Sequence, residues 1–229
     1  MKIHGVVQGT PEWLACRAGI PTASELGSLI TDKGAIRTGE TPKSYRARKL
    51  AEKWLGRPLH SFGGGVLEQG SVLEDEAIPW FEATHRRSVQ RVGFITTDDD
   101  TFGCSPDGLI HLRGLEIKCP QPENHVKWLL AEEVPPEHVL QCQGGIYATG
   151  LDAWTFVSYC RGFPALVVDV EKDSELQDTI CKAVADFNWL LESDWLRLIE
   201  LNGGPPKRKP APVRDVDPFA TTPNGGFNL

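Results

Sequence analysis

The sequence has no apolar run near the ~20 residues that a membrane helix needs. Its first residues, MKIHGVVQGTPEW, lack the apolar stretch of a secretory leader, so a cytoplasmic location is expected. The six cysteines (Cys16, Cys104, Cys119, Cys142, Cys160, Cys181) form no CxxC pair. That argues against a zinc site or a disulfide framework and predicts six buried thiols. None of the six histidines shows ligand spacing, and no internal repeat is visible. Basic charge is also scarce: 24 Lys and Arg stand against 31 Asp and Glu, for a net charge of -7. The whole-domain basic footprint of a nucleic-acid binder is therefore missing. A cleft that collects carboxylates for metal ions starts negative, however, and the ion inverts the local field. Any basic surface must then be local. At 229 residues, 40% hydrophobic and 24% charged, the chain is an ordinary globular protein of one or two domains.

Periodicity and breakers predict an α/β or α+β domain with a mixed sheet flanked by helices. Residues 11–30 read as a short helix, a turn at Gly19–Pro21, and a second helix capped by Thr22 or Ser24, with Thr22 and Glu25 in capping-box spacing. A polar loop follows over 31–42, then a helix over 43–55. Its Lys43, Arg46, Arg48, Lys49 and Lys53 form either a solvated face or a DNA-facing stripe. After the joint Gly63-Gly64-Gly65, a helix over 66–84 contains Pro79, which should kink or interrupt it. Residues 89–97 read as a strand, and Asp98-Asp99-Asp100 as a solvated hairpin tip. Helices near 123–133 and 136–149, strands over 153–159 and 165–171, and a long helix over 173–201 complete the domain, 1–201. Residues 202–229, rich in Pro and Gly, form a tail without regular structure.

The chemistry concentrates in CSPDGLIHLRGLEIKCP, residues 104–120. Asp107 follows Pro106, Glu116 comes nine positions later, and Lys118 two beyond that. On a strand, Glu116 and Lys118 share a face while Leu115 and Ile117 point to the other and anchor it. Asp107 reaches the same spot if 107–112 pairs with 114–118. Two carboxylates and a lysine on a hairpin suit metal-assisted phosphodiester hydrolysis. Mg²⁺ takes oxygen ligands and is commonly held by one or two carboxylates, so Asp107, Glu116 and the Ile117 carbonyl form a candidate set. Lys118 would orient or deprotonate the attacking water. A surface ion pair on a hairpin would use the same residues.

The flanking motifs extend this reading. Trp13, Arg17, Gly19 and Thr22-Ala23-Ser24-Glu25, then Gly70 and Glu74, then residues 104–109 and 115–120, then Gln141-Cys142-Gln143 follow in order. In that order and spacing the chain resembles bacteriophage lambda exonuclease and related phage recombination exonucleases of the PD-(D/E)xK superfamily. The resemblance implies a restriction-endonuclease-like core, with Asp107, Glu116 and the Ile117 carbonyl as metal ligands, Lys118 as catalytic lysine and Glu74 as a further acid. Gln141 matches a glutamine held near the active site, and Gln143 with Tyr147 echoes a related pattern. The two glutamines lie ~200° apart around a helix, so both cannot face one ion; Gln141 ranks first.

The same resemblance assigns Arg17, Ser24 and Ser105 to a 5′-phosphate pocket. A guanidinium and helix N-terminal amides suit a phosphate. The family's further basic residue falls near Gly34, where Lys33 or Arg37 would substitute. Leu67 matches an apolar wedge between terminal base pairs. The implied enzyme is a phage- or prophage-encoded homotrimeric ring in a bacterial host. It uses two Mg²⁺ ions per site, with Mn²⁺ able to replace them. It digests 5′-phosphorylated linear duplex 5′→3′ to 5′-mononucleotides and hands a 3′ single strand to an annealing protein. Alternatives are an endonuclease or Cas4-like nuclease of the same superfamily, or a non-catalytic DNA-binding module. The late cysteines of Cas4-like enzymes are missing here, and both carboxylates and the lysine of a catalyst are present.

Overall fold

The computed structural model describes residues 1–59 and 65–205; for residues 65–72, 74 and 75 only the backbone is described. The strands are β1 (Lys2–His4), β2 (Phe94–Thr96), β3 (Gly103–Cys104), β4 (Gly108–Ile110), β5 (Arg113–Lys118), β6 (Ala153–Ser158) and β7 (Leu166–Glu171). The helices are α1 (Pro11–Arg17), α2 (Glu40–Leu55), α3 (Gly65–His85), α4 (Pro122–Ala131), α5 (Pro136–Thr149) and α6 (Ser174–Asn202), with a 3-10 helix at Ala23–Ser28. β1-β2-β3 form a small antiparallel sheet, and β4-β5-β6-β7 form a mixed one in which only β5 and β6 run parallel. A parallel pair needs a long crossover, and α4 and α5 supply it.

The two faces of the mixed sheet are covered differently. Leu115, Ile117 and Val157 pack with Ala77, Ile78 and Phe81 of α3. Trp154 and Phe156 join the larger core with α5 and with Ile180, Val184 and Phe187 of α6. Complete burial of side chains such as Leu115 and Ile117 contributes about 1.5–3 kcal/mol each. Strand alternation then turns Gly114, Glu116 and Lys118 toward the α5 side. Two adjacent glycines let α5 sit this close. A Cβ on Gly144 would lie 2.5 Å from Leu26, and one on Gly145 2.6 Å from the Trp154 ring.

Several expectations need correction. β1 was not anticipated; three residues are too few for a periodic signal, and it is held by pairing with β2. The run 89–97 is divided between the two sheets: Gln90 bridges Leu109 beside β4, whereas Phe94–Thr96 pairs with β1 and β3. The segment after Thr22 is a 3-10 helix, and the Thr22 hydroxyl donates to the Glu25 carboxylate instead of capping a backbone N–H. α2 starts at Glu40, inside the expected loop, and α3 continues through Pro79 without interruption. The β4–β5 turn is at His111–Leu112, one residue earlier than expected, because His111 takes a positive φ of 54°. Cys104, Cys142 and Cys160 are buried, but Cys16 and Cys119 are half-buried and Cys181 is exposed on α6. The acidic tip is exposed between β2 and β3, as expected, and is also fastened by charge: the N-terminal amine contacts Asp98 at 2.7 Å and Lys2 contacts Asp100 at 2.5 Å. The Gly63-Gly64-Gly65 joint falls largely outside the described residues, as does the tail beyond residue 205.

Candidate active site

The hairpin delivers its three polar groups to one place. Asp107 donates its backbone N–H to the Leu115 carbonyl, and its carboxylate accepts the Ile117 N–H at 2.6 Å. Since β4 pairs with β5 only as far as Leu115, the Asp107 side chain continues the ladder where strand β4 has ended. A strand residue turns its N–H and C=O to the same edge, so the Ile117 carbonyl also faces the Asp107 side. The Lys118 carbonyl faces the other way and accepts the Tyr159 N–H at 2.8 Å.

Glu116 is 4% exposed and has two donors on one oxygen: Lys118 Nζ at 2.5 Å and Gln141 Nε2 at 2.6 Å. The Cys142 thiol reports on the whole group. Burial pushes its pKa well up; Glu116 and Asp107 push it further while Lys118 opposes. All three charges therefore act on one buried sulfur. His138, one turn before Gln141 on α5, is held down to about 4 by burial and by Lys118, which keeps its imidazole neutral. The donor set fits a small hard cation, with two carboxylates and one strand carbonyl on adjoining positions. Among the described residues no group of three or more histidine, cysteine or acidic side chains gathers. The expected further acid, Glu74, has its side chain outside the described residues, as does Leu67.

Gln143 belongs elsewhere. Its side chain donates to the Glu171 carbonyl at 2.7 Å and accepts from the Asp173 N–H and from Gln177 at 2.8 Å. It fastens α5 to the start of α6 and does not reach Glu116, which corrects its place among the catalytic candidates. Tyr147 packs against Phe102 instead.

The phosphate candidates converge next door. Arg17 lies over the Trp13 ring at 4.5 Å and donates to the Ser105 hydroxyl at 2.7 Å; Trp13 Nε1 reaches the same oxygen at 3.0 Å. Burial lowers the Arg17 pKa, and Glu25 opposes that shift. Arg17, Ser24 and Ser105 line a small pocket together with Glu116, Gln141 and Trp154. Neither Lys33 nor Arg37 lines it. Lys33 is exposed on the loop before α2, and Arg37 is turned to the Gly27 carbonyl at 2.7 Å. The structure therefore does not bring them to this phosphate pocket.

Sequence reasoning missed the support behind the pocket. Lys49 is 4% exposed and contacts Glu25 at 2.7 Å and Glu52 at 3.0 Å. Arg48 also contacts Glu25 at 2.7 Å, and Tyr45 and Thr22 donate to it. Arg46 and Lys53 pair with Asp194 and Glu192 of α6. Most of the basic stripe on α2 is thus bound to the protein's own carboxylates. The signal was present: Tyr45, Lys49 and Glu52 stand at i, i+4 and i+7, an inward-facing stripe. A cavity of about 590 Å³ opens at the other end of β5 and shares no lining residue with this site.

Residues 12–152 match the model of the YqaJ-like viral recombinase domain. Among solved structures, LHK-Exo in complex with dAMP is 27% identical with a TM-score of 0.76, covering 85% of this chain and 98% of that one. The structure of LHK-Exo described as an alkaline exonuclease from Laribacter hongkongensis gives 27% and 0.75 over the same shares. A phage-related exonuclease from Haemophilus somnus 129PT shares the fold at 15% identity and a TM-score of 0.61, covering 78% of this chain and 96% of that one. A search of curated proteins finds no match.

Proposed function

The chain belongs to the YqaJ-like viral recombinase domain family, within the lambda-exonuclease group that its motifs resemble, and on that premise we propose a metal-dependent DNA exonuclease serving recombination. The finer reading is that residues 1–201 work as one catalytic domain. It digests one strand of linear duplex 5′→3′, releases 5′-mononucleotides and leaves a 3′ overhang for a single-strand annealing protein. The observation that carries it is the shared pocket, which Arg17, Ser24 and Ser105 line together with Glu116 and Gln141. A terminal phosphate held by the first group would lie beside the carboxylates. The likeness to LHK-Exo, solved with a deoxymononucleotide, supports the same reading.

In this reading Asp107, Glu116 and the Ile117 carbonyl hold Mg²⁺, two ions per site with Mn²⁺ as a substitute, and Glu74 contributes from α3. Bound there, the metal would neutralise phosphate charge and acidify water. Lys118 would then exchange its Glu116 partner for the attacking water and orient it; beside bound cations, which favour the neutral amine, it would shed a proton to solvent first and then accept the water's proton. Gln141 would keep Glu116 in place during that exchange. A homotrimeric ring in the bacterial cytoplasm, threaded by duplex, completes the proposal. It also suits an acidic chain, since a ring confines DNA without a broad basic surface.

The test is an end-labelled linear duplex with and without Mg²⁺. The expected result is stepwise loss from the 5′ end that needs the metal. Asp107→Asn and Lys118→Ala should each abolish digestion while the melting temperature stays near wild type. Retained digestion by either variant removes that residue from the mechanism.

A further inference from the structure

We propose that a second phosphate-binding subsite lies beside the terminal pocket, formed by Ser28, Thr41, Ser44 and Arg48, and that it holds the DNA strand a short distance inward from the digested end. The inference rests on the exonuclease reading and deepens it. These four side chains line an open cleft of about 560 Å³ between the end of the 3-10 helix and the first turns of α2, with Glu40 the carboxylate at its edge. Three hydroxyls and a guanidinium are the donors that recur at nucleic-acid phosphates.

Arg48 is built into this position. One terminal nitrogen contacts Glu25 at 2.7 Å, and the guanidinium lies 5.1 Å from the Tyr45 ring centre. Its planar fork carries five N–H donors, so donors remain for a phosphate while Glu25 fixes the side chain. Glu25 is divided between Arg48 and Lys49, and Lys49 is itself shared with Glu52 at 3.0 Å.

The spacing also fits. Ser24 lines the terminal pocket and Ser28 the cleft, at the two ends of one 3-10 helix. Four residues at a rise of roughly 2 Å separate them by roughly 8 Å. A DNA strand rises roughly 3.4 Å per nucleotide along the duplex axis but spans about twice that from phosphate to phosphate, so the cleft stands about one nucleotide inward from the end. The 3-10 helix then acts as a ruler with one hydroxyl at each mark.

The experiment uses the full-length protein in EDTA, which withholds metal, and measures affinity for short 5′-phosphorylated duplexes. In each duplex one phosphate is replaced by a neutral methylphosphonate. For wild type, about a tenfold loss is expected at the first or second linkage, the weight of one charged hydrogen bond. That penalty should disappear in Arg48→Gln and shrink in a Thr41→Val, Ser44→Ala double variant, which keeps the guanidinium. Arg48→Gln should also lower the slope of log affinity against log salt by about 0.9. The double variant leaves the Glu25 contacts intact and covers the case in which Arg48→Gln does not fold. A flat scan in wild type, or a penalty that stays at its wild-type size in the variants, overturns the subsite. If wild type digests duplex in Mg²⁺ yet scans flat, the subsite alone fails; if it neither binds nor digests duplex ends, the exonuclease reading fails with it.

Discussion

Lys49→Met tests whether the buried ion network behind the pocket holds it in place. Methionine keeps much of the lysine stem and removes the ammonium. In the folded chain Lys49 bridges Glu25 and Glu52, and both Lys49 and Glu52 are under 5% exposed. Removing one partner of a buried pair costs about 3–5 kcal/mol, mainly because it leaves a buried charge uncompensated. Arg48 remains at Glu25, so the lower end, about 3 kcal/mol, applies. At about 2–4 °C per kcal/mol for a chain of this size, the melting temperature should fall by roughly 6–12 °C at pH 7.

The pH dependence gives the sign. Burial pushes the Glu25 carboxyl up, but Lys49 and Arg48 outweigh it and hold the pKa below the ordinary 4.5. A carboxyl depressed by folding contributes stability that is complete above its unfolded value and is lost as pH falls through the folded one. Wild type therefore keeps this contribution at pH 7 and at pH 5 and loses it in stronger acid. Without Lys49 the burial effect is less opposed, so protonating Glu25 begins to relieve the variant, and its deficit should narrow from pH 7 toward pH 5. Calorimetric melts of both chains at the two pH values measure it. A deficit under about 2 °C at pH 7, or one that widens on acidification, refutes the argument.

Other outcomes follow from the same geometry. Arg17→Ala should lower kcat/KM on 5′-phosphorylated ends by about 10- to 100-fold, the worth of a charged hydrogen bond, with little change on 5′-hydroxyl ends; equal losses on both would count against the pocket. The two glutamines should separate, with Gln141→Ala lowering kcat at nearly unchanged melting temperature. Gln143→Ala should instead leave kcat intact and cost about 1–3 kcal/mol in a denaturant titration, through the unpaired groups at Glu171 and Asp173. Gly145→Ala places a methyl 2.6 Å from the Trp154 ring and should destabilise by about 1–3 kcal/mol as that pocket wall shifts; an unchanged melt would show that Trp154 gives way freely.

The fold was legible where periodicity ran long. α5 and α6 fall within a residue of their expected ends because proline and aspartate mark their starts and glycine follows each. Legibility failed where pairing was decided at a distance. Nothing within Lys2–His4 announces a strand, and the division of 89–97 between two sheets depends on β1 and β4 arriving on different sides. Thr22 and Glu25 had the spacing of a capping box, but Lys49, Arg48 and Tyr45 offered Glu25 a stronger set of partners than a backbone N–H. A local rule yielded there to a tertiary one.

The candidate site divides along the same line. Asp107, Glu116 and Lys118 belong to one hairpin, so alternation and a short turn were enough to bring them together. The helical angle was enough to say that Gln141 and Gln143 do not share a face of α5, whereas the preference for Gln141 came from the family resemblance. The acidic composition was harder to interpret, since counting charge over the whole chain treats every lysine and arginine as available to a ligand. Here Arg46, Lys49 and Lys53 are engaged by Asp194, Glu25, Glu52 and Glu192, and Arg48 commits only part of its donor fork to Glu25. The quantity that bears on DNA is therefore the number of cationic donors left over at defined positions. Arg17 qualifies because a serine hydroxyl, a weak and replaceable acceptor, is its closest hydrogen-bond partner. A phosphate entering that pocket competes with Ser105 and not with a carboxylate, so a chain of net charge -7 can still present a strong anion site at the point where the reaction needs it.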